Sequence, residues 1–500
     1  MKLNKYFMMG AMGLSLVACS DNLDENGQSA NGTNPNEGTT YAALKINFES
    51  ASSRVGELPV DGDEDGQTYV TDAEGNEAAV KDVRIVVVDE NNNVEYNQVV
   101  TAQKNDDNAD VYIFQIQPGE KTFYAVINGN ALSLNDELAD WDGGELTLNK
   151  KASDLCGYDE SATAGNGFLM SSVAPVEATI QDDIDEATVK AGTANNVTIT
   201  VDRVVAKVTM QMDDEINMDN QTATLKNLTC QIGNADNLRF AESAYTTAGT
   251  YLMAKDESGH RTTPYYTYTL DASSATGFDQ SQLLSGTAQP IYTDGTASQT
   301  SARFYCLENT HASDNYLQSN TTFVRVKAEM IPNSALTFAY AEGAVSVSEK
   351  ADMPTELETF YVITAAPDQS YNGSYVFESD LAAIYDDVVV DGSASDNAGK
   401  ATEVRKALAD DGYAFSEAYT GGAGYYNIWV NDMKDAEGSY LNIAPVFRND
   451  WYDLTITGIK LPGDPNPDID PEEPIHPNTN VAVTLSIRDW NKVTHNVDLQ

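Results

Sequence analysis

Histidine, cysteine and basic side chains are all scarce in this chain, and each scarcity excludes something. Only four His occur in 500 residues, at His260, His311, His476 and His495. Two of them, His476 and His495, fall in a proline-rich stretch and a C-terminal tail, where nothing rigid would hold a catalytic base. Four Cys are too few for a disulfide scaffold, and no C-x-x-C or Cys/His spacing suits zinc. Lys and Arg number 29 against 77 Asp and Glu, a formal net charge of -48. Nucleic acid and anionic membrane surfaces would repel such a chain, because binding them needs clustered cations. No G-x-S-x-G elbow, H-E-x-x-H, P-loop or dinucleotide fingerprint occurs either. A carboxylate pair for glycoside hydrolysis could be picked from so many acids only arbitrarily. The expectation is a protein without catalytic residues and without a cofactor.

Long apolar runs are also missing. After the basic lead "MKLNKYF", the segment "MMGAMGLSLVA" is too short to span a bilayer and reads as a signal peptide over residues 1–18. It closes on "LVAC", in which Leu16, Val17 and Ala18 precede Cys19. That pattern resembles the lipobox of bacterial lipoproteins, with the Cys19 thiol accepting the lipid; the blander alternative is an ordinary signal peptide with a chance Cys. Residues 19–40 are polar, acidic and rich in Gly and Asn, so they cannot bury a core and read as a flexible tether. Their acidic start resembles the surface-export signal of Bacteroidetes lipoproteins. Cys156, Cys230 and Cys306 then remain, an odd number that permits at most one disulfide and suits small buried hydrophobes.

What the chain does have is β pattern. It is 41% hydrophobic and 9% aromatic, enough for a real core, and Val, Thr and Tyr are frequent between recurrent turn residues. In "TYAALKINFES" the alternation puts Ala42, Leu44, Ile46 and Phe48 on one face. An acidic, Gly-rich loop follows, then the strand "VKDVRIVVVDENNN", then two strands in "ADVYIFQIQPGEKTFYAVINGN" joined by a Pro-Gly turn. "ALSLNDELADW" suggests a short helix, and "ATEVRKALADDG" a second, with Val404 and Leu408 four apart. A composition shift at "DDIDEATVKAGTANN" places a domain boundary near residue 200. The expected plan is an N-terminal β domain over 41–200, a C-terminal β domain over 201–463, a Pro-rich linker over 464–480 and a final segment over 481–500. That segment alternates cleanly at Val481, Val483, Leu485 and Ile487, until Asp489-Trp490-Asn491 interrupts it with a bulge or a hairpin. Held away by six prolines, it reads as a strand looking for a partner.

Two stretches have a chemical reading of their own. "DGDEDGQTYVTD" sets Asp61, Asp63, Asp65 and Asp72 at the first, third, fifth and twelfth places of an EF-hand-like loop, with Gly66 at the sixth. The twelfth ligand is the shorter Asp and no helix flanks it, so a solvated loop is the competing reading to calcium. Arg54 lies in "ESASSRVGEL", a small-residue loop of the kind that proteases nick; otherwise it is a plain surface Arg.

At "GYYNIWVND…APVFRNDWYDLTITGIKLPG" and "VAVTLSIRDWNKVTHNVDLQ" the sequence resembles the Bacteroidales fimbrillins, the subunits of type V pili, and among them the major subunit of the short fimbria. The pattern Arg448, Asn449, Tyr452, Leu454, Ile456 is the most specific part, while "GEKTFYAVINGN" and "DRVVAKVTM" are similar to the family's N-terminal domain and its junction. The resemblance implies a mainly β fold of two tandem transthyretin-like β-sandwich domains with few short helices. It implies a lipid-anchored outer-membrane precursor carrying lipid on Cys19. An Arg-specific surface protease would cut Arg54–Val55 and remove the strand over 41–49. The donor would lie in the segment from Val481 onward: Val481, Val483, Leu485, Ile487, Val493, Val497 and Leu499, with either half of the tail open. Implied partners are copies of the chain itself, head to tail, together with anchor and tip subunits of a fimbrium on the cell surface. Alternatives are an anchor or tip role, or a surface glycan-binding β-sandwich lipoprotein, which should display exposed Trp and Tyr.

Overall fold

The computed structural model describes residues 39–48, 70–72, 75–105, 109–161, 164–217, 222–236, shorter stretches between 238 and 253, 280–311 apart from 294–295 and 299, 316–389, 392–434, 439–459, 462–476 and 481–492. The N-terminal strands are β1 (Thr40–Phe48), β2 (Val70–Asp72), β3 (Val83–Asp89), β4 (Val94–Val100), β5 (Ala102–Lys104), β6 (Asp110–Ile116), β7 (Gly119–Ile127), β8 (Met170–Ser172), β9 (Val176–Ile180) and β10 (Asn196–Arg203). All but β2 form a single nine-stranded sheet, in the order β4-β3-β7-β8-β10-β1-β6-β5, with β9 also paired to β7. The sheet's two margins, β4 and β5, are consecutive in the chain with only Thr101 between them. The sheet must therefore curl, bringing its two margins together at Thr101. Leu44, Ile85, Val87, Phe114, Phe123 and Ile199 fill the interior.

The Pro-Gly turn expected between β6 and β7 is present, yet these strands do not pair with each other. β6 joins β1 and β5, whereas β7 joins β3, β8 and β9. Pro118-Gly119 carries the chain across the curl, and Gly119 takes φ +119°, which a side chain would resist.

Beyond Val204, which is fully buried, the chain builds, besides some smaller ones, two five-stranded sheets. Their strands are β11 (Val205–Asn217), β12 (Ala223–Gly233), β13 (Leu284–Thr293), β14 (Thr296–Ala297), β15 (Ala302–Leu307), β16 (Phe323–Pro332), β17 (Ala423–Trp429), β18 (Asp450–Ile459) and β19 (Val481–Lys492). One sheet runs β2-β19-β18-β11-β15 and the other β14-β13-β12-β16-β17. Their facing sides enclose Val208, Met210, Leu228, Val326, Tyr426, Leu454 and Ile456. The architecture is mainly β, two successive sandwich-type bodies with few helices, as expected.

Among the described residues there are six α-helices: α1 (Asn135–Leu138), α2 (Ala152–Leu155), α3 (Glu186–Lys190), α4 (Glu378–Ala383), α5 (Tyr385–Val388) and α6 (Asn397–Asp410). The expected α6 starts where the Asp396 carboxylate accepts the Gly399 N–H at 2.8 Å, and it buries Ala401, Val404 and Leu408. α4 and α5 were not expected, because helices this short leave no 3.6-residue period to see. With α6 they belong to an excursion between β16 and β17 that has its own core of Leu336, Phe338, Tyr361, Ile363, Leu381 and Leu408.

Candidate functional site

β1 lies inside the first sheet. On one side Ala43–Phe48 pair in parallel with Asn196–Val201 of β10; on the other Thr40–Leu44 pair antiparallel with Ile116–Tyr112 of β6. Ala42 and Leu44 join the main core, as the alternation requires. The opposite face is covered too, since Ala43 packs with Val111, Ile113 and Val189 of α3. Ala42, Ala43 and Leu44 are fully buried, whereas Ile46 and Phe48 are only partly so. The start of β1 is also tied by polar bonds: Thr40 Oγ1 accepts the Ile184 N–H at 3.0 Å, and Asn195 Nδ2 donates to the Tyr41 carbonyl at 2.9 Å. Removing β1 would therefore open a slot with unpaired backbone on both walls and apolar side chains at its floor. Cys19, Arg54 and Val55 lie outside the described residues.

The C-terminal segment, the expected donor, is paired within this chain. Val481, Val483, Leu485 and Ile487 belong to β19, which pairs antiparallel with β18 of its own body from Val481↔Ile459 to Asp489↔Asp450. Val483 and Leu485 pack on the second core. The expected free linker is not free either, because its carbonyls still accept hydrogen bonds even where proline removes an N–H. The backbones of Tyr425 and Asp464 exchange hydrogen bonds at 2.8 and 2.9 Å. Ser319 Oγ donates to the Pro471 carbonyl at 2.6 Å, and the Trp429 indole N–H to the His476 carbonyl at 2.8 Å. Ile469 and Ile475 are buried against the body. Val493, Val497 and Leu499 lie outside the described residues.

The interruption at Trp490 proves to be the best-held point of the strand. Trp490 is fully buried in the core of the first body, although it ends a strand of the second. Its ring stacks on Tyr305 with centroids 5.8 Å apart, meets Phe168 edge-on at 5.6 Å, and carries the Arg203 guanidinium 4.5 Å above it. Its indole N–H donates to Glu77 Oε2 at 2.7 Å. The same buried carboxylate takes Lys207 Nζ at 3.0 Å and the Tyr305 hydroxyl at 2.8 Å. Arg203 Nε donates to the Glu77 carbonyl at 2.9 Å, and its Nη1 to the Trp490 carbonyl at 3.2 Å. Burial pulls the Arg203 pKa down to about 10 against the opposing charge of Glu77. The Tyr305 hydroxyl is pushed far up, first by burial and then by Glu77. Beside this junction β2, part of the expected loop, pairs in parallel with the end of β19, Val70 opposite Asp489 and Asp72 opposite Lys492.

The Arg-Asn-x-x-Tyr pattern serves the same seam. Arg448 is buried against Glu308 at 2.8 Å and reaches the Leu252 carbonyl at 2.9 Å. Asn449, at φ +62°, presents Oδ1 to the backbone and guanidinium of Arg203. The Tyr452 hydroxyl accepts the Phe447 N–H at 2.9 Å. The sequence reading missed the junction itself, although two cations four apart in the apolar run "DRVVAKVTM" signal a buried carboxylate on that strand face.

Asp61, Asp63 and Asp65 lie outside the described residues, and Asp72 sits in β2. Among the described residues no group of three or more His, Cys, Asp or Glu is placed to hold a metal ion. Cys156, Cys230 and Cys306 are buried free thiols, and burial pushes that of Cys230 up to about 12. Trp141, Trp429, Trp451 and Trp490 are all buried, so no tryptophan forms an exposed platform for sugar stacking.

Residues 417–496, which contain β17, β18, β19 and Trp490, match the family described as major fimbrial subunit protein type IV, fimbrillin, C-terminal. Over its full length the chain is 24% identical to the minor fimbrium subunit Mfa1 of Porphyromonas gingivalis, covering 100% of both proteins. Residues 417–496 thus carry the pattern of a fimbrillin C-terminal region. The chain is 15% identical to a solved fimbrilin from Porphyromonas gingivalis, with a TM-score of 0.40 over 91% of this chain and 97% of that one. For the tip fimbrial protein Mfa3 of the same organism, solved with a C-terminal truncation, the identity is 12% and the TM-score 0.35, over 90% of this chain and 100% of that one.

Proposed function

We propose that this chain is a fimbrillin, the stalk-forming subunit of a surface fimbria, supporting adhesion and biofilm formation. It leaves the inner membrane as a lipoprotein on Cys19 and is cut between Arg54 and Val55 by an Arg-specific surface protease. The cut releases the lipid anchor together with β1. A strand from another copy then enters between β6 and β10, and repetition builds a head-to-tail filament that also engages anchor and tip subunits. The observation that carries this reading is the position of β1, interior and paired on both sides, yet followed by the segment that contains Arg54. Strand addition repairs backbone and apolar surface in one step, with main-chain bonds giving affinity and alternate side chains giving register. A contact that does not close on itself makes a filament rather than a ring.

Arg54→Ala tests it. The variant should accumulate as full-length, membrane-bound monomer, and wild-type fibres sheared from cells should begin at Val55. Fibres that begin at Cys19 overturn the cleavage and favour an anchor role.

A further inference from the structure

The excursion between β16 and β17 leaves after Pro332 and returns at Ala423. The opposite ends of those strands, Phe323 and Trp429, lie beside Gly233, and Asp236 just beyond it accepts the Ala152 N–H of the first body at 2.8 Å. The excursion therefore sits at the end of the second body that points away from the first. It opens on a hairpin of two strands, Leu336–Ala341 and Ala344–Glu349, in register from Leu336↔Glu349 to Ala341↔Ala344. Glu342 and Gly343, at φ +55° and +81°, make its two-residue turn. Phe338 belongs to the excursion's core, and Val345 and Val347 rest against it. Pairing of Ala341 with Ala344 at the turn aims the backbone groups of Ala344, Ser346 and Ser348 at the partner strand, and those of Val345, Val347 and Glu349 the other way. Among the described residues no further element runs along that side.

A bare strand edge offers its N–H and C=O groups to any extended segment, and folded proteins commonly block it with a lysine, a proline or a bulge. Ala344–Glu349 has none of the three. The next residue, Lys350, is held by Asp380 at 2.6 Å. Glu342, Glu349, Asp352 and Glu356 are exposed around the strand, and residues 333–422 carry sixteen Asp and Glu against four Lys and Arg. We infer that the free edge of Ala344–Glu349 docks an extended, Lys- or Arg-bearing segment of a partner protein, which adds to the hairpin as a third strand. Charge decides between occupants. Two copies paired edge to edge about Val347 would set Glu342 of each near Asp352 of the other, and each chain carries a net charge of -48. Like charges suppress that pairing, while the same field draws in a basic segment. The edge lies apart from β1 and from the Trp490 seam, so the inference stands independently of strand addition at β1.

The probe is a fluorescent, end-capped KVKVKVK peptide, titrated with the full chain and followed by anisotropy. Its companions are EVEVEVE and a KVKVKVK methylated on its backbone nitrogens, which keeps the charge and removes the donors. Ser346→Lys with Ser348→Lys puts two cations on exposed positions of the strand, and Gln98→Lys with Val99→Lys puts two on exposed positions of β4 in the first body. Melting curves check that both variants keep the fold. The expected result is binding of KVKVKVK, about tenfold weaker on methylation and about tenfold weaker in the Ser346 and Ser348 variant. The Gln98 and Val99 variant should bind as wild type, and EVEVEVE should not bind. Absence of KVKVKVK binding overturns the inference. Equal binding of the methylated peptide, or equal weakening in the two variants, overturns it too, because the acidic surface alone then holds the peptide. A dimer of the chain alone in sedimentation, lost in the Ser346 and Ser348 variant, gives the edge to a second copy and likewise overturns it.

Discussion

Trp490 donates its indole hydrogen to Glu77 over 2.7 Å, across 413 positions of sequence. That one bond ties the segment following β1 to the end of the last described strand, and it does so where the two bodies share a core. The carboxylate also holds a lysine that has no access to water.

Glu77→Ala should therefore be costly. It leaves the Lys207 ammonium buried beside the Trp451 ring, 3.7 Å from its centroid, without the Glu77 carboxylate. Breaking one side of a buried pair costs about 3–5 kcal/mol. Urea unfolding should show a loss of that size, and Lys207→Met in the same background should recover part of it, because the buried ammonium is then gone.

Truncation should separate the two halves of the tail. Ending the chain at Lys492 keeps Trp490 and should leave circular dichroism and urea midpoint unchanged. Ending it at Asn480 removes Val483, Leu485 and Trp490 together. Each large apolar side chain contributes about 1.5–3 kcal/mol when buried, which threatens a total stability of roughly 5–15 kcal/mol. That variant should fail to fold.

Within β1, Leu44→Asp puts a carboxylate where both faces are covered, at a cost of several kcal/mol. The precursor should accumulate poorly and be digested early by a non-specific protease. Asn47→Asp, at an exposed position of the same strand, should behave as wild type in the same digestion.

Asp432 gives a pH signature. Burial pushes its carboxyl up to about 7, with Lys434 opposing the shift. Because the protonated form suits the fold, its contribution is full below the ordinary value of 3.8, declines as pH rises, and is gone above about 7. Asp432→Asn imitates the neutral carboxyl. Melting temperatures of variant and wild type should match near pH 4 and diverge as pH rises, with the variant higher at pH 8.

Cys19→Ala tests export. Metabolic labelling with a lipid analogue should mark the wild type and not the variant, which should be absent from the cell surface. Equal labelling of the two would show that the lipid is carried elsewhere.

Much of the framework was legible in the sequence because its signals are local. β1, β3, β6, β7 and α6 show their periods within a few residues, and the alternation of Ala42 and Leu44 gave the buried face of β1 correctly. The burial of Ala43 was not visible, because α3 covers it from more than a hundred positions away. The pairing of the tail was hidden for the same reason. Alternation at Val481–Ile487 says that a strand exists and not which strand it pairs with, and six prolines suggested a stand-off where carbonyl acceptors in fact fasten the chain down. Trp490 broke the period, yet it marks a side chain that left one sheet's logic to satisfy another body's core.

Whatever strand occupies the place of β1 meets walls of opposite direction, β10 running with it and β6 against it. Only one orientation satisfies both, so the slot accepts a strand the way a ratchet accepts a tooth. A polymer grown through it would be polar from its first contact. One end would always present an empty slot and the other an unspent strand, and any machinery that starts or stops growth could tell the two apart by chemistry alone.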